Sequence, residues 1–98
     1  MSNIQVVVNR RTFNASGKAQ KRKLREYAIR LKKEPFLGTK IKRKSLPKKY
    51  RNLPNLFRLK LPGGWRALYT VASSPTHGTQ VRILWIGNHA KYNRLFGF

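Results

Sequence analysis

The chain has 98 residues, 23 Lys and Arg against 2 acidic side chains, no cysteine, and a formal charge of +21. That length allows one modest core, and 5 Phe, 4 Tyr and 2 Trp suffice for a folded domain rather than a disordered basic tail. The missing cysteines exclude disulfides and thiolate zinc sites, and the scarcity of carboxylates excludes paired-carboxylate glycosidases, Ser-His-Asp triads and the usual magnesium site.

The two acids are Glu26 and Glu34, and no carboxylate side chain occurs after Glu34. Any catalysis must therefore use His, Lys, Arg, Tyr or hydroxyl groups, with no metal and no cofactor. Self-repulsion at +21 is costly unless a polyanion offsets it. Nucleic acid, a ribonucleoprotein surface or a strongly acidic protein are the fitting partners. A membrane-surface role fits less well, because no helix is apolar along one whole face. No apolar run is long enough to span a bilayer, and MSNIQVVVNRR is too short in apolar residues for a signal peptide. The expected compartment is the cytoplasm.

Ile4 to Val8 reads as a first strand, with Ile4, Val6 and Val8 on one face. Asn9 to Gly17 is polar and turn-like, and Asn14 or Ser16 is placed to cap the next segment. That segment, Lys18 to Lys33, reads as a helix whose core stripe is Leu24, Tyr27, Ala28 and Leu31. Its other faces carry Lys21, Arg22, Lys23, Arg25, Arg30 and Lys32, and Pro35 stops it. Phe36 to Asn55 is expected as an extended basic loop with one helical turn near Lys48 to Leu53. It is either a clamp for backbone phosphates, with Lys42, Arg43 and Lys44 binding RNA, or a flexible linker. Phe36, Ile41, Leu46, Tyr50 and Leu53 are spaced to tack it to the core.

The most regular stretch is Phe57 to Val71, FRLKLPGGWRALYTV. Phe57, Leu59 and Leu61 alternate with Arg58 and Lys60 on one side of Pro-Gly-Gly. Trp65, Ala67, Tyr69 and Val71 alternate with Arg66, Leu68 and Thr70 on the other. Period-two alternation marks half-buried strands, and the glycines supply the positive φ of a tight reversal. A three-residue loop pairs Leu61 with Trp65 and Lys60 with Arg66, putting the apolar residues on one face. A two-residue loop would mix the faces. The favoured register opposes two like charges, which destabilises a sheet; either an anion sits between them or both side chains splay into water.

Ser73 to Thr79 is a loop with His77 at its tip. Gln80 to Gly87 is nearly continuous in apolar residues and reads as a central strand covered on both faces. In Asn88 to Phe98, His89 and Tyr92 share a side if the segment is helical, and Leu95, Phe96 and Phe98 are expected to close the core.

The order of strand, basic helix, FRLKLPGGWRALYTV and VRILWIGNHAKYNRLFGF resembles the RelE/ParE toxin superfamily, most strongly from Asn55 onward. The resemblance implies a small α+β RelE-like domain. Three C-terminal strands and an N-terminal strand form an antiparallel meander packed on N-terminal helices. It implies the toxin of a toxin–antitoxin pair, a ribosome-dependent endoribonuclease that cuts mRNA, with an acidic antitoxin as partner. The family's sheet cations match Arg58, Lys60 and Arg66, its residue after the last strand matches His89, and its C-terminal Tyr matches Tyr92.

The chemistry suits these residue types. Attack by the RNA's own 2′-hydroxyl needs a base, stabilisation of the pentacoordinate phosphate, and an acid for the leaving 5′-oxygen. Lys60 is the candidate base, provided that like-charged Arg58 and Arg66 disfavour its ammonium form. Arg66 would hold the phosphate oxygens and Arg58 the adjacent backbone. His89 suits the acid because imidazole titrates near neutrality. Tyr92 could stack on or orient a base. Two alternatives stand beside this. One is the ParE-like branch, which inhibits gyrase and generally lacks the clustered sheet cations. The other is a non-catalytic RNA- or ribosome-binding module.

Overall fold

The computed structural model describes residues 3–76 and 78–98, so His77 lies outside the described residues. The chain forms β1 (Ile4–Val8), α1 (Arg10–Asn14), α2 (Lys18–Leu31), β2 (Thr39–Lys40), β3 (Phe57–Lys60), β4 (Arg66–Ser74), β5 (Gly78–Gly87) and α3 (His89–Phe96). The expected small α+β domain is present, built on one five-stranded sheet of order β1-β5-β4-β3-β2. No helix among the described residues is long and apolar enough to cross a membrane.

The sheet is mixed, not the expected antiparallel meander. β1 runs parallel to β5, with Val6 beside Val81 and Val8 beside Ile83. The whole of α1, α2, β2, β3 and β4 lies between these two strands in the chain, and parallel neighbours cannot be joined by a hairpin. β2 is an unexpected two-residue edge strand, with Thr39 opposite Arg58. The segment expected as a polar turn is helical at Arg10–Asn14, because the Asn9 side chain accepts from the Thr12 N–H at 3.1 Å. Neither Asn14 nor Ser16 caps α2; Gly17 stands at that position without a side-chain cap, and the Ser16 hydroxyl donates to the Phe13 carbonyl at 2.6 Å.

The sheet is covered on both faces. On the first, Leu24 and Leu31 of α2 bury against Phe57, Leu59, Leu61, Ala67, Tyr69, Val71, Val81 and Ile83. On the second, α3 and the basic loop cover the sheet, with Leu46, Tyr50, Leu56, Leu68 and Tyr92 at the centre. Leu68 therefore escapes the expectation that all apolar residues of the hairpin share one face; it is fully buried beneath the second layer. The loop folds into two 3-10 turns, Arg43–Ser45 and Lys48–Tyr50, so it is a clamped cover rather than a linker.

β5 is central, as its composition implies, and serves both cores through a bulge. Leu68 pairs with Trp85 but Tyr69 pairs with Ile83, leaving Leu84 as the extra residue. The extra residue resets the alternation. Val81, Ile83 and Ile86 pack toward α2, whereas Leu84 and Trp85 pack toward α3. Phe98 departs from expectation: it is 82% exposed and does not close the core.

Tyr69 locks the middle of the sheet. Its ring stacks on Phe57 at 5.1 Å, and its hydroxyl accepts from the Gly38 N–H at 2.8 Å. Burial raises the phenols of Tyr69 and Tyr50 above their usual 10.0, with the Gly38 bond partly offsetting the rise at Tyr69. The folded state thus holds these protons more tightly than the unfolded chain. Stability from this source is complete below pH 10.0 and falls as pH rises toward the folded-state values. Thermal melts across that range should show the decline, and Tyr50→Phe should flatten it; an unchanged slope in that variant would contradict the assignment.

Candidate nucleic-acid interface

The site is built on the Pro-Gly-Gly reversal. Gly63 and Gly64 have φ of 72° and 76°, which side chains with a Cβ rarely adopt, and the Leu61 N–H donates to the Trp65 carbonyl at 2.9 Å. The register is the one read from the alternation: Lys60 faces Arg66, Leu59 faces Ala67 and Phe57 faces Tyr69. Helix α2 secures this end of the hairpin from the opposite face. Gln20 Nε2 donates to the Pro62 carbonyl at 2.9 Å, and the Tyr27 hydroxyl donates to the Lys60 carbonyl at 3.0 Å.

Arg58 and Arg66 both reach Tyr92. Arg58 donates to the Tyr92 hydroxyl at 3.4 Å, and the Arg66 guanidinium carbon lies 5.8 Å from the centre of the Tyr92 ring. Arg66 is held further by donating one nitrogen to the carbonyls of Gly64 at 3.1 Å and Trp65 at 3.2 Å. The Nε atoms of both arginines are buried without a hydrogen-bond partner among the described residues. A buried donor left unmade costs about 1–3 kcal/mol. No carboxylate relieves the pair; among the described residues the ion pair is Lys23–Glu26, at 3.5 Å on α2, across the sheet. An anion placed here would meet two oriented guanidinium groups.

Lys60 is exposed, opposite Arg66 and on the same strand face as Arg58. His89 is exposed in the first turn of α3, which begins immediately after β5 and is capped by Asn88 through a 2.9 Å bond from the Lys91 N–H. A Cβ on Gly64 would stand 3.9 Å from that of His89, so the histidine borders the turn that carries Arg66. Its Nε2 lies 3.2 Å from the Asn93 side-chain amide nitrogen, a contact that orients the ring.

Tyr92 is only 6% exposed and belongs to the second core, against Trp85 and Phe96. Its place is beneath the arginines, holding them, rather than open to a ligand. The loop cations divide. Lys42 and Lys44 are exposed. Arg43, expected to bind RNA with them, instead donates to the carbonyls of Arg51, Leu53 and Pro54 at 3.0–3.3 Å and braces the loop. A groove of 440 Å³ lined by Lys40, Lys42, Arg43 and Asn55 lies beside this loop, separate from the arginine pair.

The structure thus gathers Arg58, Arg66 and Tyr92, with Lys60 and His89 at the rim, and leaves Lys42 and Lys44 apart. Sequence reasoning missed Gln20, Tyr27 and Asn93. Asn93 had a signal, since it stands four residues after His89 on a helix. Tyr27 had none beyond membership of the core stripe, and Gln20 had none at all. Among the described residues, no three of His, Cys, Asp or Glu converge as metal ligands. Comparison with protein-family profiles, with curated proteins and with solved structures found no match.

Proposed function

We propose that the chain is a RelE-like endoribonuclease that cleaves mRNA on the ribosome by attack of the RNA's own 2′-hydroxyl. The observation that carries this reading is the pair of guanidinium groups, Arg58 and Arg66, converging on Tyr92 with both Nε atoms buried and unpartnered among the described residues. Like charges gathered without a counterion are unfavourable for folding alone and suit a phosphodiester passing through a more highly charged transition state.

In this mechanism Lys60 takes the 2′-hydroxyl proton and the 2′-oxygen bonds to phosphorus. Arg66 holds the non-bridging oxygens, and Arg58 holds the neighbouring backbone. His89 gives a proton to the departing 5′-oxygen as the P–O5′ bond breaks. The products are a 2′,3′-cyclic phosphate and a 5′-hydroxyl. Tyr92 keeps the two arginines in place. An acidic antitoxin is the partner that would offset part of the charge, with an affinity falling as salt rises.

A second reading, a non-catalytic RNA- or ribosome-binding module, draws on the exposed cations Arg22, Arg25 and Arg30 of α2, on the face of the sheet away from the arginine pair. Translating ribosomes separate the two. Wild type should cut mRNA, and Lys60→Ala, Arg66→Ala and His89→Ala should each cut it more slowly. Undiminished cutting by all three variants would end the nuclease proposal, and co-sedimentation without cutting would favour the second reading.

A further inference from the structure

The aromatic residues after Tyr92 leave a surface that the cleavage chemistry does not use. Phe98 is 82% exposed, yet it is not loosely attached. Gly97 takes a φ of 80°, its N–H donates to the Arg94 carbonyl at 3.3 Å, and the Phe98 N–H donates to the Asn93 carbonyl at 2.8 Å. These bonds form the hydrogen-bonded turn that commonly ends a helix with a left-handed glycine, and they fix where Phe98 starts.

The ring then stacks on Phe96, with centres 5.8 Å apart and planes 21° from parallel. Phe96 rests on Tyr92 at 4.6 Å, and Tyr92 in turn touches Arg58 and Arg66. Tyr92 is therefore common to the arginine pair and the phenylalanine stack. On the adjoining side of α3, Lys91 and Arg94 line an open groove of 430 Å³ with Trp85 and Leu95. Flat apolar rings interleaved with cations match the two chemistries of a single-stranded nucleic acid, whose bases stack and whose backbone is anionic.

We propose that Phe98, backed by Phe96, is a stacking platform for one unpaired base of single-stranded RNA, linked through Tyr92 to the Arg58–Arg66 pair. The inference deepens the nuclease reading and rests on it for the choice of polymer. The occupant is a base rather than an apolar peptide, because Tyr92 at the root of the stack meets Arg58 and Arg66, α3 carries Lys91 and Arg94, and the chain carries +21. A paired base would not fit the role, since both of its faces are already stacked in a helix.

The test is a titration of the full chain with a short fluorescent single-stranded RNA, with the same RNA carrying an abasic nucleotide at successive positions, and with the matching duplex. Phe98→Ala should weaken single-strand binding at least about fivefold. The salt dependence should stay unchanged, because no phosphate contact is removed. Phe98→Tyr should bind like wild type and Phe98→Leu like Phe98→Ala. At one position the abasic RNA should lose affinity for wild type but not for Phe98→Ala. Wild-type affinity in Phe98→Ala or in Phe98→Leu would overturn the platform. Cleavage separates the two readings. If Phe98→Ala loses affinity while the wild type cuts nothing, the platform stands and the nuclease falls. If Arg66→Ala stops cutting while Phe98→Ala binds normally, the platform falls and the nuclease stands.

Discussion

Arg66→Ala is expected to slow mRNA cleavage by about 10²–10³-fold, the range found when one oriented donor to a developing oxyanion is removed. Arg66 should matter most because it is the best fixed of the cations. Two turn carbonyls hold one of its nitrogens, the Tyr92 ring lies alongside, and its Nε is buried without a partner among the described residues. Donors already in place cost no reorganisation when charge develops. The same substitution should leave folding stability within about 1 kcal/mol of wild type, since it removes two carbonyl contacts but also the like-charge opposition with Lys60. Arg66→Lys should restore little activity, because an ammonium cannot reproduce the planar fork. A thermal melt beside a cleavage time course reads both quantities. Loss of activity only in proportion to loss of fold would refute a chemical role for Arg66.

The second large effect concerns Tyr92, and it divides the residue's two roles. Tyr92→Ala should destabilise the domain by about 3–5 kcal/mol, the usual cost of removing a buried aromatic ring. For a domain whose total stability is on the order of 5–15 kcal/mol, that approaches unfolding. The ring is 6% exposed, packs on Trp85 and Phe96, and lies between the arginines and the phenylalanine stack. Tyr92→Phe should fold like wild type. Its cleavage should fall less than about tenfold, since the hydroxyl it loses accepts one long bond, 3.4 Å, from Arg58. Chemical denaturation and single-turnover cleavage on both variants check this. A stable Tyr92→Phe protein without activity would show that the hydroxyl acts in the chemistry and is not merely a rest for Arg58.

The hairpin was readable because its two signals agree. Alternation and the Pro-Gly-Gly turn each select the register that opposes Lys60 and Arg66, and a one-residue slip would put Arg66 opposite Leu61. The bulge at Leu84 left no trace, because Val81 to Ile86 is apolar at nearly every position and no phase can be read from it. β1 carried no mark of its direction, since Ile4–Val8 suits either a parallel or an antiparallel neighbour. β2 is two polar residues long and depends on β3 for its shape.

The candidate site was legible in part for related reasons. Arg58, Lys60 and Arg66 share a face by strand period alone. The burial of Tyr92 was hidden because α3 had to be placed over Leu68 and Trp85 before the ring could have a core. Arg43 looked like its basic neighbours until the loop carbonyls of Arg51, Leu53 and Pro54 turned toward it. The place of Phe98 is set by the left-handed turn at Gly97, which ties its N–H to the Asn93 carbonyl and could not be read before α3 was placed.

The most direct measurement is cleavage of an mRNA in which the nucleotide at the cut site carries a single 2′-deoxy substitution, read on translating ribosomes with analysis of the product ends. Without the 2′-oxygen the proposed nucleophile is gone. Cutting at that position should stop, while the all-ribose control yields a 5′-hydroxyl and a cyclic phosphate. Cutting that persists at the deoxy position, or a 5′-phosphate on the control product, would contradict the assignment of Arg58, Arg66, Lys60 and His89 to one phosphodiester.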